Sequence, residues 1–313
     1  MTRVVSFGEC MLELQGEAFG AMRQTFGGDT LNTAVYLARC GRAVGLQVDY
    51  ATALGDDSLS QGLLDRWTAE GLGTGLVRRL PGKLPGLYLI EVDARGERRF
   101  SYWRDQAAVR AHFDTPEADT PLELAADGID ALYLSGISLA VLPPAGRNRL
   151  LALAERLRER GAAVVFDNNY RPRLWASREA AQAEFTRFSQ VATLALMTLD
   201  DEQALWNEPD AERQQARTLA LPCAEVVVKR GAAPTLVRQA DRSLLAVPTE
   251  RVEKVVDTTA AGDSFAGAYL ATRLSGGSAE AAAQAGNRLA ARVVQHRGAL
   301  IPAEAMADLV LGA

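Results

Sequence analysis

The stretch Asp257-Thr258-Thr259-Ala260-Ala261-Gly262-Asp263-Ser264-Phe265-Ala266-Gly267-Ala268-Tyr269-Leu270-Ala271 decides the fold and points to the chemistry. Val255 and Val256 close an apolar run just before it, which predicts the end of a strand. Residues 258–262 form a loop with little side-chain bulk, and apolar residues recur at helical spacing from Ser264 onward. Such a loop exposes backbone N–H groups at the positive end of a helix, which predicts an anion-binding site.

Asp263 lies at the mouth of this predicted site. A carboxylate there would repel a resting phosphate, so its position needs a chemical reason. Phosphoryl transfer supplies one, because the loop amides would take the charge that develops on the phosphoryl group while the carboxylate accepts the proton of the attacking hydroxyl. The alternative is an ordinary Asp N-cap on a buried helix, and the stretch alone leaves both interpretations open.

Composition excludes several classes of protein. The 313 residues carry a formal net charge of −5, which argues against nucleic acid as a partner, and no apolar run approaches membrane-spanning length. The start of the chain runs into a strand pattern without the layout of a signal peptide, so we expect a soluble cytoplasmic protein with no membrane partner. Three widely separated cysteines and two histidines predict neither a disulfide framework nor a histidine-based metal cluster.

Strand-like and helix-like segments alternate along almost the whole chain, with no interdomain linker or internal repeat. This pattern predicts a single α/β domain over residues 1–313. Two alternating runs, residues 87–92 and 98–103, are joined by residues 93–97 and predict a β-hairpin. The alternation places Tyr88 with Ile90, and Phe100 with Tyr102, on one face of their strands.

Two further regions carry binding-type residues. Paired glycines before Asp29 and Asn32 would let a ligand approach the backbone closely at the start of a predicted helix, although a plain capped helix would look similar. A polar loop, residues 168–175, follows the strand predicted at 163–167. Ligands of open parallel sheets collect at the carboxyl ends of the strands, so this loop is a second candidate.

These motifs together resemble the two signatures of the ribokinase-like, or PfkB, carbohydrate kinases, D-T-T/P-G-A-G-D-x-F and G-G-x-x-x-N. Ala260 departs from the pattern, since the family has Gly there; Ala is tolerated at negative φ and costly in the left-handed region, and we expect the amide loop to remain intact. The resemblance covers essentially the whole chain. It implies a central, mostly parallel sheet with helices on both faces, plus a small β lid from about residues 9–15 and 84–104. Lids of this family often serve in dimerisation, so a homo-oligomer through the lid is expected.

Within the family, the loop Asn169-Tyr170-Arg171-Pro172-Arg173-Leu174-Trp175 and the tripeptide Tyr102-Trp103-Arg104 resemble the members that phosphorylate the 6-hydroxyl of the sugar acid 2-keto-3-deoxygluconate. A carboxylate in a closed site needs a cation or several N–H donors, and Arg104 and Arg171 are the candidate suppliers. Two alternatives remain. One is another sugar kinase of the same fold, of the fructokinase or ribokinase type, and the other is a non-catalytic sugar- or nucleotide-binding regulator.

The resemblance implies ATP and Mg²⁺ as cofactors. It also assigns residues to the phosphoryl-transfer centre, the sugar-acid site, the ATP site and the magnesium site. The phosphoryl-transfer centre would comprise Ala260, Ala261, Gly262 and the base Asp263. The sugar acid would be surrounded by Gly28, Asp29, Thr30, Leu31, Asn32, Tyr88, Tyr102, Trp103, Arg104, Arg171, Asp263 and the backbone of Ala299. ATP would be surrounded by Asn169, Lys229, Arg230, Gly231, Ala232, Ala260, Ala261, Gly262 and Asn287. Glu202 matches the Glu of the family's N-x-x-E magnesium motif, whereas Leu199 stands at the Asn position.

Overall fold

The computed structural model describes residues 2–92, 98–115 and 118–312. The predicted alternation of strands and helices is confirmed. The strands are β1 Thr2–Phe7, β2 Met11–Gly16, β3 Met22–Gly27, β4 Leu46–Leu54, β5 Val77–Arg79, β6 Gly86–Val92, β7 Arg98–Trp103, β8 Ala131–Ser135, β9 Ala163–Asp167, β10 Leu194–Thr198, β11 Glu225–Arg230, β12 Ala233–Arg238 and β13 Leu244–Val247. The helices are α1 Asp29–Gly41, α2 Ser58–Ala69, α3 Pro121–Leu124, α4 Gly136–Val141, α5 Pro144–Glu159, α6 Arg178–Val191, α7 Leu199–Trp206, α8 Ala211–Leu219, α9 Ala261–Leu274 and α10 Ala279–Val293. The hairpin turn predicted at residues 93–97 lies outside the described residues.

Nine strands form the large sheet in the order β13-β12-β11-β10-β9-β8-β1-β4-β5. Every neighbouring pair from β5 to β11 is parallel, and β12 and β13 add two antiparallel strands at one edge. Parallel strands joined through helices bury both faces of a sheet, which accounts for the near-continuous apolar runs of these strands. Because the parallel strands point the same way, the loops that follow them meet at one edge of the sheet.

Helices cover both faces of this sheet, as the resemblance implied. Neighbouring residues of β1 illustrate the division, since Val4 belongs to one buried cluster and Val5 to the other. The first cluster contains apolar side chains of α1, α2, α9 and α10, whereas the second contains those of α4, α5, α6 and α7. The buried alanines of α9 and α10 allow these two helices to pack closely together against α1.

A second sheet of four strands, in the order β3-β2-β6-β7, stands apart from the large one, and we call it the lid. In the lid, β2 pairs with β6 in parallel and the other pairs are antiparallel. The register sets Tyr88 opposite Tyr102 and Ile90 opposite Phe100, which confirms the predicted faces of the hairpin. Strand β3 lies outside the two segments from which a lid was predicted.

The strand end predicted at Val255 and Val256 is wrong. Residues 248–258 contain no strand, and both valine side chains are exposed. The backbone here is held instead by the carbonyl of Val294, which accepts hydrogen bonds from the N–H groups of Val256 and Asp257. No helix among residues 2–92, 98–115 and 118–312 has the length and apolar character needed to cross a membrane.

Candidate active site

Helix α9 begins in a loop that leaves its first amides without a side-chain cap. Ala260, at the N-cap position, has φ 60° and ψ 16°, so the left-handed conformation is indeed used and the Ala bears its strain. The carbonyl of Ala260 accepts the N–H of Ser264 at 2.8 Å and so starts the helix. The N–H of Ala261 makes a long hydrogen bond to the carbonyl of Thr258, at 3.3 Å. With the N–H of Gly262 and the positive end of the helix dipole, it is suited to an anion, the role that the sequence predicts for this loop.

Asp257 holds this loop in place. One of its oxygens, Oδ1, accepts hydrogen bonds from the N–H and the hydroxyl of Thr259, at 3.1 and 2.7 Å. The other, Oδ2, accepts the N–H of Gly298 at 3.0 Å. The carboxylate therefore ties the α9 loop to the C-terminal segment, a contact that the sequence could not reveal because 41 residues separate the partners.

Asp263 lies in the first turn of α9 and faces the start of α1. Its Oδ2 accepts a hydrogen bond from Nδ2 of Asn32 at 2.9 Å, and its carbonyl accepts one from the hydroxyl of Thr33 at 3.2 Å. Burial, together with the negative charge of nearby Asp29, raises the pKa of Asp263 to about 7. A carboxylate with such a pKa is a far better proton acceptor near neutral pH than an ordinary aspartate.

The start of α1 presents polar groups beside Asp263. Asp29 Oδ2 accepts a hydrogen bond from Asn169 at 2.7 Å, whereas Asp29 Oδ1 and Asn32 Oδ1 have no hydrogen-bond partner within the described chain. Burial raises the pKa of Asp29. Gly28 is required by a close approach, since a Cβ there would lie 2.1 Å from the carbonyl oxygen of Glu9. Two buried oxygens in need of donors are suited to sugar hydroxyls.

Two residues predicted to surround the sugar have their side chains elsewhere. Leu31 is fully buried in the core beneath α1. The hydroxyl of Thr30 is 3.1 Å from that of Tyr50, also in the interior. Only the backbone of these two residues remains available to a ligand.

The carboxyl edge of the large sheet brings a cation to the α9 loop. Lys229, near the end of β11, donates a hydrogen bond to Asp167, at the end of β9, over 2.8 Å. Both side chains are buried. A Cβ added at Gly262 would lie 3.5 Å from the Lys229 ammonium, so the ammonium borders the loop amides. The loop amides, the ammonium of Lys229 and the backbone of Gly262, which has no side chain, together fit a phosphate group.

The remaining residues predicted to surround ATP line the turn between β11 and β12 and its neighbours. Gly231 has φ 58° with open space where a side chain would be, whereas Arg230 is engaged with the carbonyl of Pro234 at 2.8 Å. The carbonyl of Ala232 accepts the hydroxyl of Thr249. Asn287 is buried, and its side chain bonds Thr235 and the carbonyl of Pro248, so it fixes the loop after β13.

The lid covers a cavity of about 1060 Å³ whose opposite wall is formed by residues 254–259 and 297–302. Tyr88 and Ala299 line it from the two sides. The ring of Tyr88 stacks on Tyr102 with centroids 5.9 Å apart. Tyr102 and Trp103 remain 48% and 59% exposed, so the aromatic surface of the lid is available for a ligand.

Arg104 and Arg171, the two arginines predicted to bind the carboxylate of the sugar acid, differ in their exposure and in their partners. The side chain of Arg104 is 11% exposed and forms an ion pair with Glu9, a residue that sequence reasoning missed. Arg171 is 52% exposed, donates to the carbonyl of Tyr170 at 2.8 Å and lies 3.3 Å from Asp201. Arg104 is therefore fixed by the fold, whereas Arg171 lies in the polar loop after β9 and faces solvent.

Glu202 does not fit a direct magnesium ligand in this structure. Its Oε1 accepts a hydrogen bond from Asn168, and its Oε2 accepts one from Trp206 and one from Gln214, so both oxygens are already used. Burial raises the pKa of Glu202. No group of three or more His, Cys, Asp or Glu side chains in the described part of the chain is arranged to hold a metal ion.

The candidate site thus combines a carboxylate with a pKa near neutrality, a helix start without a side-chain cap and a cavity under a small lid. Residues 1–306 match the profile of the pfkB family carbohydrate kinases, and the chain belongs to this family. It is 50% identical to 2-dehydro-3-deoxygluconokinase of Escherichia coli (strain K12) over 97% of this chain and 98% of that protein. The enzyme of the same name from Haemophilus influenzae is 42% identical over 99% and 98%. The crystal structure of a PfkB protein from Polaromonas sp. JS666 has a TM-score of 0.80 at 26% identity, covering 98% of this chain and all of that one.

Proposed function

We propose that the chain is an ATP-dependent kinase that phosphorylates the 6-hydroxyl of 2-keto-3-deoxygluconate, giving 2-keto-3-deoxy-6-phosphogluconate. The observation that carries the proposal is the placement of Asp263, with its pKa of about 7, in the uncapped first turn of α9. Relatives that carry the name of this activity at 42% and 50% identity support the choice of substrate.

In this proposal Asp263 is the general base. Its Oδ2 is held by Asn32, so Oδ1 is the atom that accepts the proton of the sugar hydroxyl. The amides of Ala261 and Gly262 stabilise the charge that develops on the transferred phosphoryl group, and the dipole of α9 adds to this effect. Lys229 lies beside the same amides and contributes a positive charge there.

The sugar acid is bound between α1 and the lid. Asp29 Oδ1 and Asn32 Oδ1, unpartnered in the described chain, accept hydrogen bonds from its hydroxyl groups. Tyr88, Tyr102 and Trp103 cover its apolar faces, and the backbone of Ala299 closes the opposite wall. Arg104 takes its carboxylate, with Arg171 as a second donor once the polar loop moves inward.

ATP, the phosphoryl donor, is assigned to the α9 loop, Asn169 and the turn from Lys229 to Ala232, with Asn287 shaping the edge of the base pocket. Mg²⁺ would supply positive charge to the phosphate oxygens. Because the oxygens of Glu202 are taken by protein donors, we assign Glu202 an indirect role, orienting Asn168 and the loop after β9. A single domain over residues 1–313, a homo-oligomer through the lid and a cytoplasmic location remain predictions.

The direct test is a substrate panel with ATP and Mg²⁺, comparing 2-keto-3-deoxygluconate with neutral sugars such as fructose and ribose. We expect transfer to the sugar acid with kcat/KM at least about 100-fold above that for either neutral sugar, because a desolvated ion pair is lost with the latter. Faster turnover of fructose or ribose would assign the chain to another sugar kinase type. Binding of sugar or nucleotide without any phosphorylated product would assign it to a non-catalytic regulator.

A further inference from the structure

Four chain segments connect the lid with the large sheet and its helices. They are residues 8–10, residue 28, residues 80–85 and residues 104–107, and we call them the crossing segments. Glu9 lies in the first of them and Arg104 in the last, 95 residues further along the chain. Nη2 of Arg104 donates to Oε2 of Glu9, so a single ion pair joins the first crossing segment to the last.

Glu9 also packs against the other two places where the chain enters or leaves the lid. A Cβ at Gly28 would lie 2.1 Å from the carbonyl oxygen of Glu9, and a Cβ at Gly86 would lie 2.7 Å from its Oε1. The residue itself is 2% exposed. All four connections therefore meet around Glu9, through its carbonyl at Gly28 and through its carboxylate at Gly86 and Arg104. The two glycines give the residue the necessary room.

The ion pair leaves two polar atoms without partners. Arg104 Nε and Glu9 Oε1 are both buried and have no hydrogen-bond partner among the described residues. The guanidinium carbon lies 5.9 Å from the centroid of the Tyr102 ring, so the cation is adjacent to the aromatic surface of the lid. A buried N–H without an acceptor is suited to an anionic ligand oxygen.

We infer that Glu9 is a positioning residue for the sugar acid, which fixes the guanidinium of Arg104 so that Nε is left for the substrate carboxylate and which links that contact to the lid's connections. The inference rests on the proposed function. Glu9 does not contact the substrate, and its effect on binding passes through Arg104. Removal of its charge would leave a buried cation free to adopt other orientations, and it would loosen the lid at the same time.

The test compares Glu9→Gln with a matched control, Glu225→Gln. Glu225, at the start of β11, also forms an ion pair, with Arg273, but lies at the opposite end of its strand from Lys229. For Glu9→Gln we expect the KM for 2-keto-3-deoxygluconate to rise by about 10- to 100-fold, the KM for ATP to change by less than about twofold, and Glu225→Gln to change neither. Equal rises in both KM values would indicate a general structural defect and overturn the inference.

A double-mutant cycle with Arg104→Gln tests whether Glu9 acts through the arginine. If it does, Glu9→Gln has no further effect on the KM of the sugar acid once Arg104 has been replaced, so the two effects are not additive. Independent, additive effects would overturn the inference. A wild-type enzyme that does not phosphorylate 2-keto-3-deoxygluconate would instead refute the proposed function.

If Glu9→Gln folds poorly, amide hydrogen exchange of Arg104→Gln, measured without substrate, tests whether the ion pair secures the lid. Arg104→Gln breaks the ion pair between Glu9 and Arg104 from the other side. It leaves the carboxylate of Glu9, which can take up a proton and so avoids an unpaired buried charge. We expect faster exchange in residues 8–16 and 84–92 of this variant and unchanged exchange in residues 225–230. Unchanged exchange in the first two segments would show that the pair does not secure the lid.

Discussion

The two halves of the candidate active site differ in how far they are already formed. On the side of the large sheet, Lys229 and Asp167 are buried and paired, and Asn32 holds the carboxylate of Asp263. On the lid side, Tyr102 and Trp103 are about half exposed, and the nearby Tyr88 and Phe100 line a cavity of about 1060 Å³. The groups assigned to phosphoryl transfer are thus held by contacts within the protein before any ligand binds, whereas we expect the lid to close over the sugar.

This difference predicts that changes in the two halves affect different kinetic constants. Groups that are fixed in advance act on the chemical step, since they need no rearrangement when charge develops. Groups on a lid that closes over the sugar act on its binding and on the exclusion of water. The predictions below test this division, beginning with the largest effect.

Asp263→Asn should reduce kcat by about 10²–10⁴-fold with little change in either KM, because Asn keeps the size of the side chain but accepts no proton. The same variant should be more stable than wild type at pH 8. Because the pKa of Asp263 is raised from 3.8 to about 7, the unfavourable ionised form lowers stability progressively between these values and fully above pH 7, and a neutral replacement removes the whole penalty at pH 8. Turnover and thermal unfolding, measured on one preparation of Asp263→Asn, distinguish a general base from a helix cap. A near-wild-type kcat would reduce Asp263 to the helix cap that the sequence left open.

Arg104→Leu and Arg171→Leu separate the fixed arginine from the exposed one. We expect Arg104→Leu to weaken binding of the sugar acid by about 2–3 kcal/mol, read as an increase in KM, while the KM for ATP is unchanged. Arg171 is 52% exposed and has alternative partners, so its replacement should cost less. A larger effect at Arg171 would mean that the loop after β9, and not the lid, recognises the carboxylate.

The pH dependence of kcat/KM should follow the ionisation of Asp263. Its pKa is raised to about 7, so the base is increasingly protonated below pH 7 and the rate should fall about tenfold per pH unit there. Nearby Asp29, whose pKa burial also raises, contributes to the same acid limb. The residual activity of Asp263→Asn should show a much weaker limb near pH 7, with only the part due to Asp29 left. A wild-type profile that is flat from pH 5.5 to 8 would contradict this assignment.

The sequence was sufficient to predict those features of the fold that depend on local patterns of residues. The alternation of strands and helices, the faces of the hairpin and the start of α9 follow from periodicity and from the two signatures. Strand β3 was missed because residues 22–25 are mostly polar and exposed, and the strand exists only through its pairing with β2. Val255 and Val256 suggested a strand because apolar residues were assumed to be buried.

The pairs that organise the site were beyond sequence reasoning for a different reason. Lys229 and Asp167 come from two strands 62 residues apart, and Glu9 and Arg104 from positions 95 residues apart. No local pattern specifies which ends of which elements meet, since that depends on the order of strands in both sheets. The sequence therefore identified candidates for the chemistry better than the groups that hold these candidates in position.

The smallest expected effect concerns the strain in the rigid half, at Ala260. This residue has φ 60°, where an L-residue with a Cβ is disfavoured by about 1–2 kcal/mol relative to glycine. Ala260→Gly removes the strain but gives the unfolded chain more freedom, so we expect a net stabilisation of about 0.5–1 kcal/mol. Gly231→Ala is the matched reverse change, because Gly231 has φ 58° and no atom within 4 Å of an added Cβ, and it should destabilise by a similar amount. Chemical denaturation of both variants measures the two values. If Ala260→Gly stabilised the protein while kcat fell, the strained alanine would be shown to position the loop amides for transfer. An unchanged kcat would show that the loop keeps its shape without the side chain of Ala260.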